Sequence, residues 1–428
     1  MNIVKPSTIA GIMELLPEDQ LAFDKMKNII EETYKKFQFL PIDTPVIEKN
    51  EVLFAKGGGE TEKQIYEIAS ETKDMSLRFD LTVPLARYVA EHFAELNFPF
   101  KRYHIAKVYR GERNQKGRYR EFYQCDIDII GHNKLAIAND AIPPRVIYEI
   151  FNKLDTPDVT FRINNRKLLN GFLNALNISN TTDILRLIDK KDKIGMDKTK
   201  VELLDLVDSE KADKILAFIG SDLTNEELLQ KLENIVSNDL YSEGLYELKT
   251  VYSYMIHFGI PDSNIKIDPS ITRGLDYYTG TVYETFINGY EQIGSVSSGG
   301  RYEKLAENFS KQALPGVGMS IGLTRLFYQL KEIGLIDKNE SRLTDILIIP
   351  MSDEDNFYAI DIFNKLLKKG IGADIYLENG KLKKKFSYAD KVGVKYAYII
   401  GQSEREEKKV SIRNMETGEQ EEVDFDSL

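Results

Sequence analysis

The sequence predicts an α+β domain built on an antiparallel sheet, interrupted by a helical subdomain and followed by a small α/β domain. Three observations predict it. Residues 103–131 hold two runs of strict alternation on either side of an arginine-rich loop, the pattern of an antiparallel hairpin. Residues 166–258 keep helical spacing almost throughout, with no strand alternation. Beyond residue 343, compact apolar strands alternate with helical segments. The boundaries fall accordingly: a core in two parts, 1–165 and 259–335, an inserted helical subdomain at 166–258, and an α/β domain at 343–428.

Taken in order, Pro17, Glu18 and Asp19 precede a helix over 21–37, where Met26, Ile29, Ile30, Thr33, Tyr34 and Phe37 recur at three- and four-residue spacing. A proline-punctuated apolar stretch follows at 41–54. Gly57, Gly58 and Gly59 form a loop by composition, without the spacing or the lysine of a P-loop. At 75–87, Arg78, Asp80 and Thr82 alternate on one strand face, and Pro84 starts a helix at its first or second position. Residues 137–151 turn helical. Thr224 to Glu227 is a capping box ahead of an apolar helix. Strand character returns at 265–268 and 279–286. Residues 294–300 are rich in glycine and serine and lead into Arg301 and Tyr302. Gly316, Gly318 and Gly322 space a strand-to-helix transition, where small residues let backbone approach a ligand or a neighbouring helix. After 332–343, strands over 345–350, 373–377 and 396–400 alternate with helices over 357–369 and 386–392, which gives a mostly parallel or mixed sheet. Lys381, Lys383, Lys384 and Lys385 form a basic run there.

Composition bounds the function. The chain has 428 residues, enough for two or three domains with cores of their own. A net charge of -11 argues against bulk electrostatic capture of nucleic acid, while leaving room for a local basic patch. The one cysteine, Cys125, excludes an intrachain disulfide and fits a reducing compartment, and the four scattered histidines argue against a zinc site. The N-terminal stretch lacks the apolar core of a signal peptide, and no run is long enough to span a bilayer.

The hairpin carries the chemistry. His104, Ala106, Val108 and Arg110 share one face of its first strand, and Phe122, Gln124, Asp126 and Asp128 share one face of its second. The loop at 111–117 is too long for a two-residue turn and projects, crowded by Arg110, Arg113, Lys116, Arg118 and Arg120. An aromatic ring, an amide and two carboxylates beside a cationic loop suit a phosphorylated aromatic ligand and a second, cationic group. A solvated hairpin with surface charges would carry the same letters.

The stretch YRGERNQKGRYREFYQCDIDIIG resembles motif 2 of the class II aminoacyl-tRNA synthetases in its histidyl form. Three further stretches agree with that family. LRFDLTVPLAR at 77–87 is one, and TRGLDYYTGTVYE at 272–284 is similar to the signature peptide that separates histidyl enzymes from other class II members. GVGMSIGLTRL at 316–326 resembles motif 3, and the helix and strand near 21–54 look like motif 1, the dimer interface of the family. The resemblance spans nearly the whole chain.

That resemblance implies a class II catalytic domain, an insertion that clamps the tRNA acceptor arm, and a C-terminal anticodon-binding domain. It implies an ATP-dependent, AMP-forming ligase that makes histidyl-adenylate and pyrophosphate, then transfers histidine to the 3′ end of tRNA(His). An attacking carboxylate must approach an anionic phosphate, so cations are required. The family supplies them at Arg110, Arg118, Arg273 and Arg325, with Arg273 at the α-phosphate and Arg110 beside it as the catalytic pair. Glu112 and Phe122 match adenine-binding positions, and Mg²⁺ accompanies ATP through ligand oxygens, without a protein metal site. Asp80, Thr82 and Gln124 are implied to hold the substrate ammonium, and Asp128 and Tyr278, with Tyr277 adjacent, the imidazole. Family members often carry Glu where this chain has the shorter Asp128. Arg113 and Gln115 are candidates for contact with the acceptor stem, and Asn114 stands where proline is common. Lys190, Lys191 and Lys193, and the run at 381–385, are candidates for RNA phosphate. The partners implied are histidine, ATP, tRNA(His) and a second copy of the chain in the cytoplasm. Two rivals remain. A synthetase-like regulatory subunit of ATP phosphoribosyltransferase would bind histidine without charging tRNA, but it typically lacks the C-terminal domain. A prolyl or threonyl enzyme would not carry RGLDYY.

Overall fold

The computed structural model describes residues 3–55, 64–70, 73–111, 117–178, 180–220, 223–272, 278–304, 306–336 and 343–428. The glycine run at 57–59 lies outside them. Contacts divide the chain into two compact units, Met1–Glu14 with Lys25–Ile336 and Leu15–Asp24 with Asp337–Leu428.

α1 (Pro17–Lys36) opens with a proline and two acids and ends on Lys35 and Lys36, each charge matched to the helix end it occupies. β1 (Leu40–Pro41), β2 (Ile47–Lys49), α2 (Asn50–Leu53) and β3 (Met75–Leu77) are short. α3 (Thr82–Glu91) precedes the long hairpin of β4 (Phe100–Tyr109) and β5 (Glu121–Ile130). α4 (Ile142–Lys153) and β6 (Val159–Asn165) lead into the helical stretch. It comprises α5 (Arg166–Ala175), α6 (Thr181–Ile194), α7 (Met196–Leu204), α8 (Ser209–Ile219), α9 (Asn225–Leu232) and α10 (Asp239–His257), with no strand among the described residues. The chain then returns as β7 (Ile265–Ile267), β8 (Thr281–Ile287), β9 (Ser297–Tyr302), β10 (Gly316–Ile321) and α11 (Leu323–Glu332).

Eight of these strands make one sheet in the order β1-β4-β5-β10-β9-β8-β6-β7, antiparallel from β4 through β6 and parallel at its two ends. One face of β5 gives Cys125, Ile127 and Ile129 to the core, where the Tyr34 hydroxyl of α1 donates to the Cys125 carbonyl at 2.8 Å. The opposite face carries Phe122, Gln124, Asp126 and Asp128, as period-two alternation requires. Register sets Asp126 between His104 and Ser320, and Asp128 between Arg102 and Gly318.

Three local readings change. Arg78, Asp80 and Thr82 do not share a strand, because β3 ends at Leu77 and Thr82 already starts α3. Pro84 is therefore the third residue of the helix, where its missing N–H is still one that has no intrahelical acceptor. The glycine-serine stretch becomes β9, a strand that low β-propensity conceals. Its composition reflects close approach: a Cβ on Gly299 would fall 2.0 Å from the Gly318 carbonyl oxygen. The glycines of β10 likewise make room for neighbouring strands and not for a helix. Capping at Thr224 is as expected, its N–H donating to Glu227 Oε2 at 2.9 Å and its Oγ accepting from the Glu227 N–H at 3.3 Å.

In the second unit, β11 (Ile346–Pro350), α12 (Asn356–Lys368), β12 (Asp374–Ile375), α13 (Leu382–Val392), β13 (Tyr396–Ile400), α14 (Gln402–Glu407), β14 (Lys409–Asn414) and β15 (Gln420–Asp424) follow. The sheet runs β12-β11-β13-β14-β15, its first three strands parallel and the last two antiparallel. Ile346, Ile348, Ala359, Ile362, Leu366 and Ile400 pack as its core on one side. One lysine of the basic run is not on the surface: Lys385 is buried, and its Nζ donates to the Pro350 carbonyl at 2.6 Å. Lys191 is similarly engaged, donating to Ser270 Oγ at 2.8 Å, so neither ammonium is held out for phosphate. No helix among the described residues is long and apolar enough to cross a membrane.

Candidate active site

A cavity of about 390 Å³ opens along the β5 face and continues over β8, β9, β10 and the start of α11. That volume is in the range of small-molecule sites. Asp80, Thr82, Arg110, Arg118, Phe122, Gln124, Tyr278 and Arg325 all line it. Residues from four separate sequence stretches thus converge on one space. Glu112, Arg113, Gln115, Arg273 and Tyr277 lie outside the described residues.

Each side chain is fixed by local structure. Asp80 sits just before α3, and its Oδ1 accepts the Val83 N–H at 3.1 Å, which leaves Oδ2 buried with no hydrogen-bond partner among the described residues. Burial raises its carboxyl to about 6, against the helix-start hydrogen bond and the pull of Arg110. Gln124 donates from Nε2 to Ser320 Oγ at 3.2 Å, and its Oε1 is likewise unpartnered. Arg110 donates from Nε to the Phe79 carbonyl at 2.9 Å while its guanidinium lies 5.2 Å from the Phe122 ring centre. The cation and the ring are therefore presented together. Arg325 reaches the Ile293 carbonyl at 3.1 Å. The cavity so joins three guanidinium groups to buried, acceptor-only oxygens.

Asp128 is the predicted residue that the cavity does not include. Its Oδ2 lies 2.6 Å from Arg102, which is fully buried, and its Oδ1 accepts the Tyr302 hydroxyl at 2.9 Å. Burial raises its carboxyl and Arg102 opposes the rise. Gly318 makes this arrangement possible, because a Cβ there would stand 2.1 Å from Asp128 Oδ1. Asp126, one alternation nearer the opening, lines the cavity instead. Sequence reading placed it on the right face without giving it a role. It also passed over Glu284 and Ser320, which lie inside the quoted motif stretches, and Ser297 and Gln329, whose signal was only their position in a strand and a helix beside them.

A second buried ion pair, Arg301 with Asp140, ties β9 to the turn before α4. Arg301 Nη2 donates to Asp140 Oδ1 at 2.7 Å, and the Thr281 hydroxyl donates to Oδ2 at 2.8 Å. A larger hollow, about 930 Å³, lies among α5, α8 and α9. Its lysines are already bonded, Lys214 to Glu210 and Lys231 to the Ala217 carbonyl, and among the described residues it lacks the buried unpartnered oxygens of the sheet cavity.

Residues 11–326 match the family model described as histidyl-tRNA synthetase. The chain belongs to the histidyl-tRNA synthetase family. Residues 345–428 match the anticodon binding domain model. A histidine–tRNA ligase from Clostridium tetani is 56% identical over 428 residues, covering 99% of this chain and 97% of its own length. One from Finegoldia magna is 53% identical, covering 100% of this chain and 99% of its own. Among solved structures, histidyl-tRNA synthetase from Nostoc sp. PCC 7120 superposes with a TM-score of 0.90 at 38% identity, covering 99% of this chain and 98% of that one. The antiparallel core, the helices that interrupt it and the C-terminal mixed sheet are those of a class II histidyl-tRNA synthetase.

Proposed function

We propose that the sheet cavity is where histidine and ATP meet, histidine at the Asp80–Gln124 end and ATP along Arg110, Arg118, Phe122 and Arg325. The chain is a histidine–tRNA ligase. Its family binds histidine, ATP and tRNA(His), and class II synthetases use ATP with Mg²⁺.

The observation that carries the site assignment is the set of buried, unpartnered acceptors opposite guanidinium groups. Leaving a buried carboxylate oxygen without a donor is costly, so such an atom fits a ligand cation that supplies one. In the first step a histidine carboxylate oxygen attacks the α-phosphorus. A P–O bond forms, the bond to the β-phosphate oxygen breaks, and pyrophosphate leaves. In the second, the terminal ribose hydroxyl of tRNA attacks the adenylate carbonyl and AMP leaves. Both nucleophiles belong to substrates, so the protein contributes position and charge. Arginine suits this work because it stays charged when desolvated and pairs two oxygens at once.

In this reading Phe122 stacks on adenine beside Glu112, and Arg273 stands at the α-phosphate with Arg110. Mg²⁺ brought in with ATP would add positive charge at the phosphates beside these arginines. Tyr277 and Tyr278 border the imidazole, and Asp128 acts from behind the cavity wall through its ion pair. Arg113 and Gln115 face the acceptor stem, and Lys381, Lys383 and Lys384 face RNA. A cytoplasmic homodimer, joined through α1 and the short strands after it, completes the proposal; sedimentation near twice 49.0 kDa tests the dimer.

ATP–pyrophosphate exchange with each of the twenty amino acids tests the function. Exchange that depends on histidine and Mg²⁺ is expected. Histidine binding without exchange by any amino acid would favour a regulatory subunit instead.

A further inference from the structure

We propose that Asp126 is a further acceptor, beside Asp80, Thr82 and Gln124, for the α-ammonium group of the substrate, held in place by Ser320. The inference rests on the reading that this end of the cavity takes histidine. Asp80 Oδ2, Gln124 Oε1 and Asp126 Oδ1 line one cavity, are buried, and have no hydrogen-bond partner among the described residues. All three are acceptors only: two carboxylate oxygens and an amide oxygen whose NH₂ is already committed to Ser320. An ammonium carries three N–H donors and no acceptor, whereas a neutral imidazole brings one of each. The unmet groups therefore match the ammonium in kind. Ser297 Oγ and Gln329 Oε1 are also unpartnered and line the cavity, but a hydroxyl can donate as well as accept, and Gln329 belongs to the Arg325 end.

Ser320 explains how the acceptors are aimed. It stands directly opposite Asp126 in the β5–β10 register. Its oxygen accepts from Gln124 Nε2 at 3.2 Å, which turns Gln124 Oε1 away from Ser320. Its own proton remains to be donated, and Asp126 is the carboxylate it faces across the register, an arrangement that opposes the upward push of burial on the Asp126 carboxyl. On the other side of Asp126 stands His104, whose Nε2 is bonded to Asp43 at 2.9 Å and whose Nδ1 is buried without a partner among the described residues. Burial pushes the Asp126 carboxyl up, and Arg102, Ser320 and Arg110 oppose that rise without cancelling it, so an ammonium beside Asp126 supplies the charge that burial leaves uncompensated.

Calorimetric titration of the full-length chain with three ligands tests this: histidine, histamine, which keeps the ammonium and ring, and imidazolepropionate, which keeps the ring and carboxylate but lacks the ammonium. Asp126→Asn should weaken histidine and histamine about 10- to 100-fold, the scale of a hydrogen bond to a charged group, and leave imidazolepropionate within about threefold. Ser320→Ala should give the same selective pattern with a smaller loss, which a merely structural role would not produce. Equal weakening of all three ligands by Asp126→Asn in a protein with normal thermal unfolding would overturn the proposal, and so would unchanged histidine affinity. Asp80→Asn and Gln124→Ala separate the two levels. If they also leave histidine affinity untouched, the placement of histidine in this cavity fails. If they weaken it and Asp126→Asn does not, only the role of Asp126 fails.

Discussion

The two ends of the β5 face carry the same residue type to opposite ends. Asp126 and Asp128 are two residues apart, point the same way and are both buried. Asp126 opens on the cavity with an unmet oxygen, whereas Asp128 accepts from the Tyr302 hydroxyl and forms an ion pair with Arg102 at 2.6 Å. Alternation settles which face a side chain takes and says nothing of depth. Depth comes from the neighbouring strands, which place a serine across from one aspartate and a glycine across from the other. A carboxylate beside a guanidinium and a tyrosine hydroxyl is held by the fold, while a carboxylate left wanting a donor is open to a ligand.

The largest expected effect breaks the closed end. Arg102→Ala would leave Asp128 buried without its counterion, at a cost of about 3–5 kcal/mol to unfolding free energy in urea. A loss below about 1 kcal/mol would show that the pair does not hold this part of the sheet together.

The open end should respond with the reverse sign. Asp80 has its carboxyl raised to about 6 from 3.8 by burial, so the folded chain binds that proton more tightly than the unfolded chain. Its charge therefore lowers stability above about pH 6, and the deficit shrinks as pH falls from about 6 toward 3.8. Asp80→Asn should stabilise the free protein at pH 7 by about 2 kcal/mol, with the gain disappearing near pH 4, while weakening histidine binding. Urea unfolding at both pH values measures it, and a destabilised Asn variant at pH 7 would mean that Asp80 is already satisfied without a ligand.

The smallest effects sharpen the same contrast inside the C-terminal unit. Lys385→Ala leaves the Pro350 carbonyl without its donor and should cost about 1–2 kcal/mol of stability. Lys383→Ala, an exposed change, should stay within about 0.5 kcal/mol. If Lys383 meets an RNA phosphate, its loss should lower the salt dependence of tRNA binding by about one in log–log slope. An unchanged slope would remove it from the interface.

Much of this was readable from the letters. The hairpin, the helical stretch and the α/β unit each follow from hydrophobic period, and eight of the predicted site residues that the structure describes line one cavity. What escaped was decided by partners distant in sequence. β9 is a strand because it lies between β8 and β10, despite its glycines and serines. Lys385 looked like its exposed neighbours, but the helix turns it inward to a carbonyl on β11. Asp80 looked like a strand residue, yet its side chain caps the start of α3, which alternation does not encode.

The bare Cα of Gly318 beside Asp128 has a consequence for how relatives of this chain can diverge. With only 2.1 Å between a would-be Cβ and the carboxylate oxygen, the two positions constrain each other. A descendant that gains a side chain at 318 must shorten, lose or redirect the acid at 128, and in doing so would strand Arg102. The three positions should therefore drift as a set, and an alignment of relatives should show substitutions at any one of them correlated with substitutions at the others.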